Sequence, residues 1–315
     1  MLNDAPEATS HPTDNPELFL EKGRLTPRLP YDFQKALDFL GDFKPVSYEQ
    51  IAKPGSLAKA LCLNGQVVGF ELRNAGMIEA PALDYTLFSA KPISDKIKKM
   101  ALEKAAFFLS LDDDLAPFYA LGRKDPFFAP VIEQIYGYHQ VKFITPFENA
   151  AWAVIHQRNH ITVSRRMKES LVKYFDRKIE WDGQTLWAFP EPAQVAVADF
   201  AIMNEVIRNE RKTESVMSAA QVFSMVDEDF LYNAPYEKVK KWLLTIRGVG
   251  EWSSSFILLR ALGRMEHLPI GDKGLIEGFR EFYGPDMDEE DLLTFAQDYG
   301  EWKGYWAHYL RVASR

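Results

Sequence analysis

The sequence predicts an α+β protein, a small antiparallel sheet domain followed by a mostly helical domain, and three observations lead to that prediction. Short β-type runs with a two-residue turn lie between residues 43 and 90, helical apolar spacing dominates beyond Pro146, and a Gly-Val-Gly break separates two helical stretches at residues 248–250. The 315 residues are 47% hydrophobic, enough for a sizeable core and for two or three domains.

Residues 1–25 are rich in Pro, Asn, Asp and Glu without periodic apolar positions, which predicts a disordered tail. Residues 31–43 have helical apolar spacing. Residues 57–74, LAKALCLNGQVVGFELRN, read as two strands joined at Asn64-Gly65, a pair that accepts the positive φ angles of a tight hairpin turn. Residues 93–109 read as an amphipathic helix, and a first α+β domain is placed at 26–143. A helical domain is placed at 144–315, with helices near 147–175, 195–198, 212–223, 236–245, 252–262, 274–282, 289–299 and 303–312. No internal repeat is present.

Composition narrows the function. No apolar run approaches the roughly 18–20 residues that span a bilayer, and the polar, acidic N-terminus lacks the features of a signal peptide. A cytoplasmic protein without membrane contact is expected. A single cysteine, Cys62 in an apolar run, excludes an internal disulfide and a four-cysteine iron–sulfur cluster, and is expected in the core. The net charge of −8 argues against a protein that coats nucleic acid, and residues 145–315 carry 21 basic against 26 acidic residues. Any DNA site must therefore be a local patch. Residues 156–178 are the richest basic stretch, with Arg158, Arg165, Arg166, Lys168, Lys173, Arg177 and Lys178.

The most informative stretch is 239–272. A helix ends near Thr245, Gly248-Val249-Gly250 breaks the chain, and a second helix begins with Trp252, Phe256, Leu259 and Leu262 at three- and four-residue spacing. The amides of Val249, Gly250 and Glu251 are expected to point out of that helix's N-terminus, where a phosphate fits. Asp272 follows in Pro269-Ile270-Gly271-Asp272. Without more it reads as a catalytic carboxylate or as the N-cap of a helix starting near Gly274.

These residues resemble the helix-hairpin-helix DNA glycosylases, in which a Leu-x-x-Ile-x-Gly-Val/Ile-Gly hairpin is followed about twenty residues on by a loop aspartate. Within that superfamily the chain is similar to 3-methyladenine DNA glycosylase II: Pro30-Tyr31-Asp32-Phe33 matches its opening, and Phe147, Glu148, Ala153, Val154 and Gln157 match the start of its helical domain. Arg211-Lys212 and Trp302-Lys303-Gly304 match further on, whereas residues 50–140 match only in layout. The resemblance implies a sheet domain similar to half of the TATA-binding protein, and a monomeric, nucleoid-associated base-excision repair enzyme. It would act on damaged double-stranded DNA, flipping out an alkylated purine such as 3-methyladenine or 7-methylguanine.

Site residues carry over position by position. Asp272 would stabilise the oxocarbenium-like sugar and orient water. The family's Schiff-base lysine falls at Trp252, which implies a monofunctional enzyme that leaves the strand intact. Trp252, Phe256 and Phe39 match pocket aromatics, and an aromatic face suits a flipped, cationic base. Gly248, Val249, Gly250, Arg247, Gln157 and Lys303 would hold DNA, and Arg158 stands where the subfamily has a wedge leucine. Arg311 stands where a pocket tryptophan is usual. His156 and His160 form no metal site and are assigned a phosphate contact. No redox cofactor is implied, although the hairpin carbonyls could hold a structural cation as in relatives. The competing readings are a non-catalytic protein that senses or bends damaged duplex, and a glycosylase for deaminated or oxidised bases.

Overall fold

A computed structural model describes residues 18–46, 48–269 and 271–314. Five strands, β1 (Phe19–Leu25), β2 (Gln50–Lys53), β3 (Ser56–Leu63), β4 (Gln66–Asn74) and β5 (Leu83–Ser89), form an antiparallel sheet in the order β1-β5-β4-β3-β2. The predicted β3–β4 hairpin is present, with Asn64 and Gly65 at φ 51° and 75°. Helices α1 (Phe33–Asp42) and α2 (Asp95–Phe108) lie within this half, followed by the short α3 (Ala116–Gly122) and α4 (Ala129–Gln134).

The tail predicted for residues 1–25 is corrected at its end. Residues 1–17 lie outside the described residues, but Phe19–Leu25 pairs along its whole length with β5. It is an edge strand with mostly exposed side chains, so backbone pairing holds it and no apolar alternation announced it.

The second half is built from α5 (Pro146–His156), α6 (Ile161–Phe175), α7 (Pro192–Ala196), α8 (Phe200–Ile207), α9 (Glu210–Met225), α10 (Glu228–Asn233), α11 (Tyr236–Leu244), α12 (Glu251–Ala261), α13 (Lys273–Tyr283), α14 (Glu289–Gln297) and α15 (Lys303–Ala313). Two departures from the reading of nearly continuous helix appear. The stretch 147–175 is broken between α5 and α6, and β6 (Lys178–Trp181) and β7 (Gln184–Trp187) form a hairpin around Asp182-Gly183. That hairpin lays Ile179 and Leu186 on the outer face of the main sheet, where Trp181 stacks on Phe88 at 3.9 Å. Cys62 is buried in the same layer, as expected, and burial beside the Glu191 carboxylate pushes its thiol up to about 12. It is an inert packing residue at neutral pH.

The core is continuous across the boundary placed at 143/144. One apolar cluster runs from Tyr31 to Ala313, and Tyr119 of α3 shares a 2.9 Å hydroxyl contact with Tyr309 of α15. Charge also crosses the seam: Glu49, Lys59, Glu148 and Lys168 are each at most 1% exposed, and Lys168 Nζ lies 2.6 Å from both carboxylates.

Candidate active site

The hairpin between α11 and α12 is set by a few local choices. Ile246 and Val249 are buried and anchor the turn, and the Val249 amide donates to Ile246 O at 3.0 Å. That amide is thus used inside the turn, which corrects the expectation that it faces outward. Gly248 has φ +82°, and a Cβ there would lie 2.6 Å from Ser215 Oγ. Both conformation and space therefore demand glycine. Gly250 differs: it caps α12 with φ −104°, and a Cβ would meet nothing within 4 Å. No side chain caps α12, so among the described residues the Gly250 and Glu251 amides are left to an outside acceptor.

The end of α5 is tied to this turn. Gln157 Nε2 donates to Gly248 O at 2.6 Å and Ser253 Oγ at 3.0 Å. Lys212 Nζ donates to the carbonyls of Val154, Ile155 and Gln157 at 2.8–3.0 Å, placing an ammonium on the negative end of α5. Arg158 comes next, exposed and at φ 54°, at the tip of the tied loop. His160 caps α6 by accepting from Thr162 N, while His156 stacks on Trp152 at 5.1 Å and meets Ser164 Oγ at 3.0 Å. No metal-binding group of His, Cys, Asp and Glu occurs among the described residues.

Beside the hairpin opens a cavity of about 210 Å³ lined by Trp252, Phe256, Phe39, Arg260, His308 and Arg311, among others. The volume is small against the ~300–1,000 Å³ common for small-molecule sites and suits one flat ring system. Trp252 and Phe256 stack at 5.0 Å with planes 10° apart, and Trp252 is 36% exposed at the rim. The Arg260 guanidinium lies 5.2 and 5.0 Å from the Phe39 and Phe43 ring centres and donates to Val141 O. Larger cavities lie elsewhere and share no lining residue with this one: two, about 340 and 350 Å³, follow the seam beside Lys104 and Glu228, and others of about 280 and 540 Å³ lie beside Phe127 and Arg166.

Asp272 is the N-cap of α13, with Oδ1 accepting from Leu275 N at 3.2 Å. Its side chain is only 8% exposed, and Oδ2 is paired with Arg311 Nη1. The carboxylate is not itself in the cavity lining; it backs onto the cavity wall through Arg311. Of the remaining assigned cations, Arg247, in the hairpin turn, pairs with Glu214, and Lys303 Nζ donates to Gln297 at 2.7 Å; neither lines the cavity. Lys212, Arg260 and His308 escaped the sequence reading of the site because their partners are distant in sequence. The Asp272–Arg311 pair escaped it for the same reason.

A helical hairpin with two outward amides is joined through its second helix to a ring-sized aromatic cavity, a helix-hairpin-helix arrangement. The comparisons agree with that arrangement. No family model matches the chain. The chain is 24% identical over 228 residues to a DNA-3-methyladenine glycosylase of Bacillus subtilis, covering 71% of this chain and 75% of that protein. Its fold matches a 3-methyladenine DNA glycosylase from Archaeoglobus fulgidus with TM-score 0.78 at 18% identity, over 93% of this chain and 98% of the other. It also matches a Clostridium acetobutylicum 8-oxoguanine glycosylase/lyase, solved with DNA, with TM-score 0.67 at 15% identity over 95% and 98%. The chain is thus similar in sequence to a DNA glycosylase over 71% of its length and shares the fold of solved DNA glycosylases over most of it.

Proposed function

We propose that this protein is a monofunctional DNA glycosylase that hydrolyses the N-glycosidic bond of alkylated purines, 3-methyladenine and 7-methylguanine, in double-stranded DNA. The observation that carries the reading is the placement of Asp272 behind the wall of a ring-sized aromatic cavity whose rim residue, Trp252, sits two residues from the hairpin.

The chemistry follows from that arrangement. The Gly250 and Glu251 amides receive a phosphate and set the register of the strand. Arg158 enters the space left by the extruded nucleotide, and its planar guanidinium stacks there while remaining hydrated at its edge. The base slides between Trp252–Phe256 and Phe39. When the C1′–N bond breaks, its electron pair leaves with the base and positive charge develops on the sugar. The Asp272 carboxylate offsets that charge; water oxygen then bonds to C1′ and loses one proton to the carboxylate or to solvent. An alkylated purine is already cationic and leaves without an acid, so one carboxylate suffices. No redox cofactor enters.

The test uses methylated duplex and chromatography of released bases. Asp272→Asn, which keeps the α13 cap, is expected to bind damaged duplex and release base at least 100-fold more slowly; release at the parent rate removes the assignment. Because Trp252 occupies the Schiff-base position, borohydride is expected to trap no covalent complex with the parent protein and DNA. A trapped adduct would show a lyase.

A further inference from the structure

The carboxylate proposed for the reaction already has a charged partner. Asp272 Oδ2 is paired with Arg311 Nη1, and the two side chains are unequally buried, 8% and 36% exposed. Arg311 is therefore the member of the pair that faces the cavity, and it lines it beside Trp252 and Phe256. A carboxylate already paired with a guanidinium is a weaker partner for a sugar cation, because two positive charges compete for one anion. The same guanidinium is a planar array of donors suited to oxygen and ring-nitrogen acceptors on the edge of a base.

We propose that Arg311 is a specificity-determining latch on Asp272: it neutralises the carboxylate while the cavity is empty and releases it when acceptors on an inserted base engage the guanidinium. The proposal rests on the reading of Asp272 as the carboxylate of the reaction. It has a consequence for substrate class. A neutral purine leaves with negative charge building on the ring as it takes the bond's electron pair, and a cation at its edge stabilises that charge only as the bond breaks, which accelerates departure. A cationic alkylated purine leaves uncharged. Against it Arg311 offers no gain on departure and, with Arg260 in the same wall and only Asp42 as an acidic group of the lining, repulsion on entry. Arg311 thus narrows the margin by which cationic alkylated purines, the better leaving groups, are preferred over neutral, acceptor-bearing ones.

The discriminating measurement is single-turnover base release from two duplexes, one carrying 7-methylguanine and one carrying hypoxanthine, a neutral 6-oxo purine. Arg311→Met is expected to speed release of 7-methylguanine and slow release of hypoxanthine, moving the ratio of the two rates by about tenfold or more. Arg311→Lys keeps a cation and guards against misfolding; it moves the ratio the same way by a smaller factor. A ratio that stays put, or moves the opposite way, in a variant that melts like the parent overturns the latch. Asp272→Asn separates the two levels of argument. If it still releases base at the parent rate, the assignment of Asp272 to the reaction fails and the latch with it; if it is inactive while the Arg311 ratio is unmoved, only the latch fails.

Discussion

Asp272 does two jobs with two oxygens, which is why its residue type alone could not decide between a helix cap and a reactive group. Oδ1 serves α13 and Oδ2 serves Arg311. The capping role was legible from Pro269-Ile270-Gly271-Asp272 and the helical spacing that follows; the ion pair was not, because its partner lies 39 residues on. His156 shows the same limit. It read as a phosphate contact, yet it is half-buried against Trp152, and burial with the nearby Lys212 ammonium holds its imidazole below the ordinary value of 6.5. The folded state therefore resists protonating it, so this contribution is fully present above 6.5 and is lost as pH falls below that value. Melting temperatures between pH 7.5 and 5 are expected to fall more steeply for the parent than for His156→Gln; parallel curves would show that another group controls the acid limb.

At the scale of the element, the hairpin contains two glycines that look alike in sequence and differ in what they are for. Gly248 is required by its own fold, through positive φ and the approach to Ser215. Gly250 is required by neither conformation nor internal space, which leaves the outer face of α12 as its reason. Gly248→Ala is expected to destabilise the protein by about 1–3 kcal/mol through strain at that position, seen as a lower urea midpoint. Gly250→Ala is expected to leave the midpoint unchanged and weaken duplex binding several-fold. Equal losses of stability in both would mean that the second glycine is structural too. The β6–β7 hairpin was within reach of the sequence, since Asp182-Gly183 sits between alternating residues. The tail reading failed at β1 because an edge strand held by backbone bonds carries no apolar signature.

Across the whole molecule, the buried Glu49–Lys59–Glu148–Lys168 group joins the sheet half to the helical half without access to water. Lys168 also donates to Pro45 O, so one ammonium serves three acceptors on two chain segments. Lys168→Met is expected to cost about 3–5 kcal/mol, because it strands carboxylates in the interior; a loss below 1 kcal/mol by urea denaturation would show that water reaches them. What the sequence by itself determined was local: the Asn64-Gly65 turn, the hairpin glycines, the cap before α13, the helical periods and the resemblance they carry. Such features depend on backbone conformation and on contacts within a few residues. Only the tertiary structure decided which cations meet which anions and what lines the cavity. Arg311 reaches Asp272 because α13 and α15 pack closely at Gly278, where a Cβ would lie 2.6 Å from Leu310 O. Charge pairing depends on distance in space, and that distance is fixed by helix packing that no short stretch of chain encodes.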